Sequence, residues 1–271
     1  MGFLPSSNKA KPPVIDVQDN PERAEEDLLD IVPAEPTKWF DMREVIRRVV
    51  DGGDYFEMKG SYARNLTTGF ARFGGQTAGI IGNNPIWIGG CEDCDSSDKH
   101  ARFTRFCDAF NIPLVYLADC PAFIPSSAEE RKGILRHGCL VIHSSSEATV
   151  PKISIYVRKC YGGAQLAMPS NMVKTDRLLA WPIVRRGVMG APELTAIIYM
   201  DAIAKAKSPD EAEEIRQKGI KIMEGRVEAT SMEDDEIIDP RQTRPVIIRA
   251  LRCTQNKQQG RPWRKHENIN L

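Results

Sequence analysis

The chain has 271 residues, with 37 Lys and Arg balancing 37 Asp and Glu. That length can bury a sizeable core, and the even charge gives neither a basic stripe for nucleic acid nor an acidic solvating tail. No apolar run of about 18 residues is present to span a membrane, and Met1-Gly2-Phe3-Leu4-Pro5 lacks the basic-then-apolar pattern of a leader. Seven cysteines, an odd number set mostly in apolar runs such as Arg105-Phe106-Cys107, read as reduced core residues and not as a disulfide framework. The expected location is the cytoplasm or an organelle matrix.

Residues 1–36 are rich in Pro, Asp and Glu with little apolar periodicity, so they are expected to form an extended arm or linker lying over another surface. Residues 37–271 form the domain proper. Met42, Val45, Ile46 and Val49-Val50 follow helical spacing and stop at Asp51-Gly52-Gly53. Thr67–Phe73 and Gln76–Gly82 alternate as strands around Gly74-Gly75, a hairpin signal. Ser96-Ser97-Asp98 is expected to open a helix carrying Phe103, Phe106, Cys107 and Phe110, which feeds a strand at Ile112–Ala118. A second helix, near 128–145, feeds a strand at Lys152–Val157. Repeated strand and helix units of this kind predict a layered α/β domain. The last third reads as mostly helical. Ser208-Pro209-Asp210-Glu211 caps a charged helix over 209–224, a lid or outer surface, and another helix spans 243–256.

The sharpest chemical signal is Arg158-Lys159-Cys160-Tyr161-Gly162-Gly163-Ala164, directly after a strand. Two glycines and an alanine leave backbone N–H groups uncovered by side chains, which suits an oxygen that gains negative charge in a reaction. A tight turn uses the same residues. The other motifs give less. Cys91-Glu92-Asp93-Cys94 has metal-knuckle spacing, but no second pair matches it and His100, His137, His143 and His266 do not complete it, so no metal is expected. His137 and His143 do not share a helical face and read as one partly buried and one surface residue. Asp119 ends a strand, where acids cap loops more often than they do chemistry. Asp119–Ser126 occupies a favoured ligand position after a strand, or is a connection stiffened by Pro121 and Pro125. Gly187–Pro192 either aims helix amides at a ligand or packs a strand closely on a helix.

Taken in order, several segments resemble the carboxyl-terminal half of the carboxyltransferase (β) subunit of biotin-dependent acyl-CoA carboxylases, the propionyl-CoA carboxylase β and methylmalonyl-CoA decarboxylase α type. They are Thr68-Gly69-Phe70-Ala71-Arg72, Gly79-Ile80-Ile81-Gly82-Asn83, Arg105–Leu114, Arg136-His137-Gly138, Glu147–Lys152, Arg158-Lys159, Tyr161–Ala164, Ala180-Trp181-Pro182, Val188–Ala191, Ile238–Arg241 and Arg261–His266. The likeness runs from about Phe3 to the last residue. It implies a crotonase-like (ClpP/crotonase) α/β fold, a superhelix of β-β-α units with a helical C-terminal part. It also implies transfer of carboxylate between carboxybiotin, carried on a separate protein, and the α-carbon of an acyl-CoA.

In that family no side chain acts as base. Backbone N–H groups stabilise two oxygens, and the biotin-side hole falls on Gly163 and Ala164, with Gly162 giving room. Pro121 and Phe123 would line the biotin side. Leu166 stands where propionyl-CoA enzymes carry Asp, which points to a different acyl group. The implied partners are an amino-terminal carboxyltransferase half holding the thioester hole, a biotin carboxyl carrier protein and a biotin carboxylase, in a hexameric ring. Apolar surface near 193–204 and 245–251 is a candidate for its contacts.

The native-looking Met1 favours a naturally split enzyme over a fragment of a longer subunit, and the chain alone is expected to be inactive. The same chemistry run backward would make it a decarboxylase subunit, and a non-catalytic scaffold is a further alternative. Where the family has glycine, this chain has Ala122 and Ser126. If either position needs positive φ, the loop is strained or takes a new path.

Overall fold

In the computed structural model residues 2–227, 234–260 and 263 are described. Ten α-helices, four short 3-10 helices and eight strands lie among the described residues. The strands are β1 (Phe56–Met58), β2 (Leu66–Phe73), β3 (Gln76–Asn83), β4 (Leu114–Cys120), β5 (Lys152–Tyr161), β6 (Arg177–Ala180), β7 (Arg185–Gly187) and β8 (Glu236–Ile237). All join one sheet in the order β1-β2-β3-β4-β5-β6-β8, and β7 continues the pairing with β5. β1, β2 and β3 pair antiparallel, whereas β3 through β6, β7 and β8 pair parallel.

The hairpin turns where the two glycines predict. Gly74 (φ 57°) and Gly75 (φ 80°) take the left-handed backbone of a tight turn, and both amides donate to the Asp51 carboxylate, at 2.9 and 2.7 Å. The residues before β1 pack on the chain's own sheet. Leu28 is fully buried in the short helix α1 (Leu28–Ile31), and the Ile15 amide donates to the Gly75 carbonyl at 3.1 Å. α2 (Met42–Val49) buries Met42, Val45, Ile46 and Val49, the apolar stripe its spacing requires.

Two boundaries move from their sequence positions. α3 (Cys94–Ala109) begins ahead of Ser96 because Asp93, not Ser96, is the N-cap. Asp93 accepts from the Ser96 amide at 2.8 Å while Ser96 Oγ accepts from the Asp93 amide at 2.8 Å, a reciprocal capping box. The helix expected near 128–145 is two, α4 (Ser127–Lys132) and α5 (Ile134–Glu147), broken at Gly133 where φ is 91°.

After β5 come α6 (Ala164–Ala167), α7 (Ala191–Ile198), α8 (Met200–Ala204), α9 (Pro209–Val227) and α10 (Thr243–Thr254). The three short strands β6, β7 and β8 among them escaped sequence reading. α9 lays Met223 on Tyr161 and Ala191, so this charged helix covers the end of β5. α10 is driven into the core. Val246, Ile247, Ile248 and Leu251 are buried, and Arg244 forms a buried ion pair with Asp51 at 2.6 Å. The expectation that 245–251 offers a contact surface is therefore wrong. Among the described residues no helix is long and apolar enough to cross a membrane.

Candidate functional site

The carboxyl ends of β4 and β5 converge on the Gly162–Ala164 turn. Gly162 has φ 53°, and a Cβ there would meet the Val188 carbonyl oxygen at 2.9 Å, so this position requires glycine twice over. Its N–H is held by the Gly187 carbonyl at 2.8 Å, and Gln165 Nε2 donates to the same oxygen at 3.0 Å. Gly163 (φ −60°, ψ −21°) then caps α6 and Ala164 is its first residue. The first N–H groups of a helix have no acceptor within it. Among the described residues, neither Gly163 N–H nor Ala164 N–H donates to a backbone carbonyl. Gly163 is exposed, and Ala164, the next residue, is fully buried.

Phe123 packs beside these donors. A Cβ on Gly163 would lie 3.2 Å from its ring, and so would one on Gly138 of α5. The loop that carries Phe123 is zipped to Glu92, just ahead of the α3 cap. The Glu92 amide donates to the Ala122 carbonyl at 3.0 Å and the Ile124 amide donates to the Glu92 carbonyl at 2.9 Å. Pro121 is half-buried at the start of this loop and Leu166 half-buried on α6, two residues past Ala164. The strain anticipated at Ala122 and Ser126 is absent. Neither has positive φ, and Ser126 (φ −126°) caps α4 by accepting from the Glu129 amide at 3.2 Å. Glu129 in turn accepts from the Cys94 amide at 3.0 Å and from Lys132 Nζ at 2.7 Å, which holds its carboxyl down to about 2.

Two buried pairs underlie the loop. Asp119 is no loop cap. It is fully buried and accepts from Arg158 Nη2 at 2.8 Å and from the Lys159 amide at 2.9 Å. Burial holds the Lys159 ammonium below its usual pKa, against the pull of Asp119. Glu92 and His100, both fully buried, meet at 3.1 Å. Sequence reading passed over both pairs. The only signal was the placement of ionisable residues inside runs that otherwise read as core. His137 and His143 are both half-buried, and His137 Nδ1 lies 2.6 Å from Asp98.

All seven cysteines are free. Burial pushes the Cys107 and Cys120 thiols well above their usual range, so neither is poised as a thiolate. Among the described residues, no group of three or more His, Cys, Asp or Glu side chains could hold a metal ion. The Gly162–Ala164 turn lies beside the Phe123 ring, with the buried Asp119–Arg158 ion pair at the end of β4 and β5 behind it.

A family model described as the carboxyl transferase domain matches residues 1–269. The chain belongs to the carboxyl transferase domain family. Methylmalonyl-CoA decarboxylase subunit alpha of Veillonella parvula is 43% identical over 272 residues, covering 100% of this chain and 52% of the relative. The propionyl-CoA carboxylase beta chain of Roseobacter denitrificans is 40% identical over 274 residues, covering 99% and 52%. A crystal structure of the transcarboxylase 12S hexamer, with methylmalonyl-coenzyme A and methylmalonic acid bound, matches with a TM-score of 0.92 at 40% identity. It covers 100% of this chain and 52% of that one. The crotonase-like α/β architecture expected from the resemblance is the one observed. The chain spans about half the length of the curated relatives it matches, 52% in each of these two.

Proposed function

We propose that this chain is the biotin-side half of an acyl-CoA carboxyltransferase, acting in the cytoplasm with an amino-terminal half as partner. One observation carries the reading: Gly163 and Ala164 present two adjacent backbone donors beside the Phe123 ring, in a carboxyl transferase domain. Biotin fits this arrangement, because its bicyclic body is apolar and its ureido oxygen accepts hydrogen bonds. When bound, biotin supplies the carboxylate carrier, and its ureido oxygen gains negative charge as carboxylate leaves.

The chain's own part is positional. Gly163 N–H and Ala164 N–H hold that oxygen, and losing one such donor typically raises a barrier by about 3–4 kcal/mol. Gly162 keeps the approach clear of any side chain, and the Phe123 ring supports the apolar body, with Pro121 at the edge. The thioester oxygen of the acyl-CoA needs a second hole, which the partner half supplies. Leu166 then faces the acyl group and favours an apolar one. A biotin carboxyl carrier protein and a biotin carboxylase complete the system in a hexameric ring. Exposed Ile197 (60%), Ile198 (56%) and Met200 (63%) offer apolar surface for contacts between subunits.

Transfer in the opposite direction uses the same donors, so a decarboxylase subunit shares this site. The deciding experiment combines the purified chain with its amino half and measures free-biotin-dependent decarboxylation of methylmalonyl-CoA. Turnover that needs both polypeptides and falls about 10²–10³-fold in Ala164→Pro, which deletes one donor, is the expected result. Unchanged turnover in a folded Ala164→Pro enzyme would remove the hole assignment.

A further inference from the structure

β4 and β5 run in step from Leu114 opposite Lys152 to Ala118 opposite Tyr156, and then Cys120 pairs with Cys160. Two residues of β4 therefore answer to four of β5. Surplus residues in one strand bend it and leave part of the ladder unpaired, a device common beside active sites. Between the two in-register stretches lie Asp119 on one strand and Val157, Arg158 and Lys159 on the other. The Asp119 carboxylate takes the place of the missing ladder. Oδ1 accepts from the Lys159 amide at 2.9 Å and from Arg158 Nε at 3.4 Å, and Oδ2 accepts from Arg158 Nη2 at 2.8 Å. The Asp119 amide itself donates to Asn83 Oδ1 on β3 at 3.3 Å.

Arg158 uses its remaining nitrogen on the preceding segment. Nη1 donates to the carbonyls of Pro33, Glu35 and Lys38 at 3.2, 2.9 and 2.7 Å, and the Phe40 ring lies 4.9 Å from the guanidinium carbon. Both ionic side chains are fully buried. A buried ion pair is a poor source of stability, since apolar residues of similar volume often serve as well or better. What such a pair does supply is a fixed geometry. Three residues beyond Cys120 is Phe123, and three beyond Cys160 is Gly163, so the offset set at the bulge decides how ring and donors meet.

We propose that Asp119 and Arg158 are positioning residues for the Gly163–Ala164 hole, holding the β5 bulge at the register that brings these donors to Phe123. The kinetic part of the test rests on the carboxyltransferase reading, and the structural part does not.

Two variants separate geometry from folding. Arg158→Lys keeps a charge opposite Asp119 but loses the fork. Asp119→Leu with Arg158→Met removes both charges together and avoids a lone buried ion. In the full chain, amide hydrogen exchange at Lys159 and Gly162 should accelerate about tenfold or more, while Val115 and Ile155 in the core stay protected. In the enzyme assembled with its amino half, the KM for free biotin should rise about tenfold and that for methylmalonyl-CoA stay within about twofold. Unchanged exchange at Lys159 would overturn the proposal. So would a loosened bulge with both KM values unchanged, or both rising together, since a merely structural role does not distinguish two substrates. An inactive wild-type assembly would instead remove the carboxyltransferase reading, and the exchange data would still decide whether the pair sets the bulge.

Discussion

Replacing Gly162 by alanine tests the turn more directly than any side-chain deletion. At φ 53° a Cβ costs about 1–2 kcal/mol through contact with the chain's own carbonyl. The new methyl also meets the Val188 carbonyl oxygen at 2.9 Å, an overlap that adds about 1 kcal/mol or more. The backbone can escape only by rotating, which gives up the Gly162 N–H bond to Gly187 and swings the next two amides off line. For a chain of this size, about 2–3 kcal/mol lowers the melting temperature by roughly 5–10 °C. Gly163→Ala is the internal control. Gly163 sits at φ −60°, which alanine accepts, and its Cβ would lie 3.2 Å from the Phe123 ring. That ring has to give only a few tenths of an ångström, so the melting temperature should fall by less than about 3 °C. Thermal unfolding of the two purified variants followed by circular dichroism decides between them. If Gly162→Ala melts with the wild type while Gly163→Ala does not, the turn geometry described above is wrong.

Three further outcomes are expected. Phe123→Ala removes the ring that touches both Gly163 and Gly138. It should cost about 1–3 kcal/mol in urea unfolding and raise the KM for free biotin, with that for methylmalonyl-CoA unchanged. Glu129 has its carboxyl held down to about 2 by Lys132 and the Cys94 amide, so its contribution is complete above the usual carboxylate range and disappears as pH falls through about 2. Acid titration of stability should show wild type losing ground to Glu129→Gln over that window, and parallel curves would contradict the contact. At Gly75, with φ 80°, an added Cβ would also overlap the Ile15 carbonyl oxygen. Gly75→Ala should therefore free residues near Ile15 from the hairpin and make them cleavable in limited proteolysis, whereas full resistance would argue against that packing.

Much of the fold was legible because apolar periodicity and glycine stops are local. The 74–75 hairpin, α2 and the strand before Gly162 follow from residues a few positions apart. What escaped depends on distant partners. The start of α3 was misplaced because Ser96 is a good N-cap in isolation, and only the reciprocal bonding with Asp93 shows that it sits at the third position. Asp119 read as a strand-end acid because its partners, Arg158 and the Lys159 amide, lie 39 and 40 residues away. The loop carries alanine and serine without strain because neither position takes positive φ, and Ser126 serves as a helix cap, a role that glycine fills less well.

These misses and successes have one physical origin. The candidate site is made of backbone, and backbone donors leave a trace in sequence only through what must be kept away from them. Gly162 is readable because a side chain there would take a left-handed backbone and meet the Val188 carbonyl oxygen. Asp119 and Arg158, proposed above to set those donors, are ordinary core positions in sequence and become visible only in the ladder. All seven cysteines are free, and the buried thiols of Cys107 and Cys120 are held protonated. The buried carboxylates of Asp119 and Glu92 already have cationic or imidazole partners. On the proposed reading, a reaction run here draws on the polarity of two amides and on the bulge behind them.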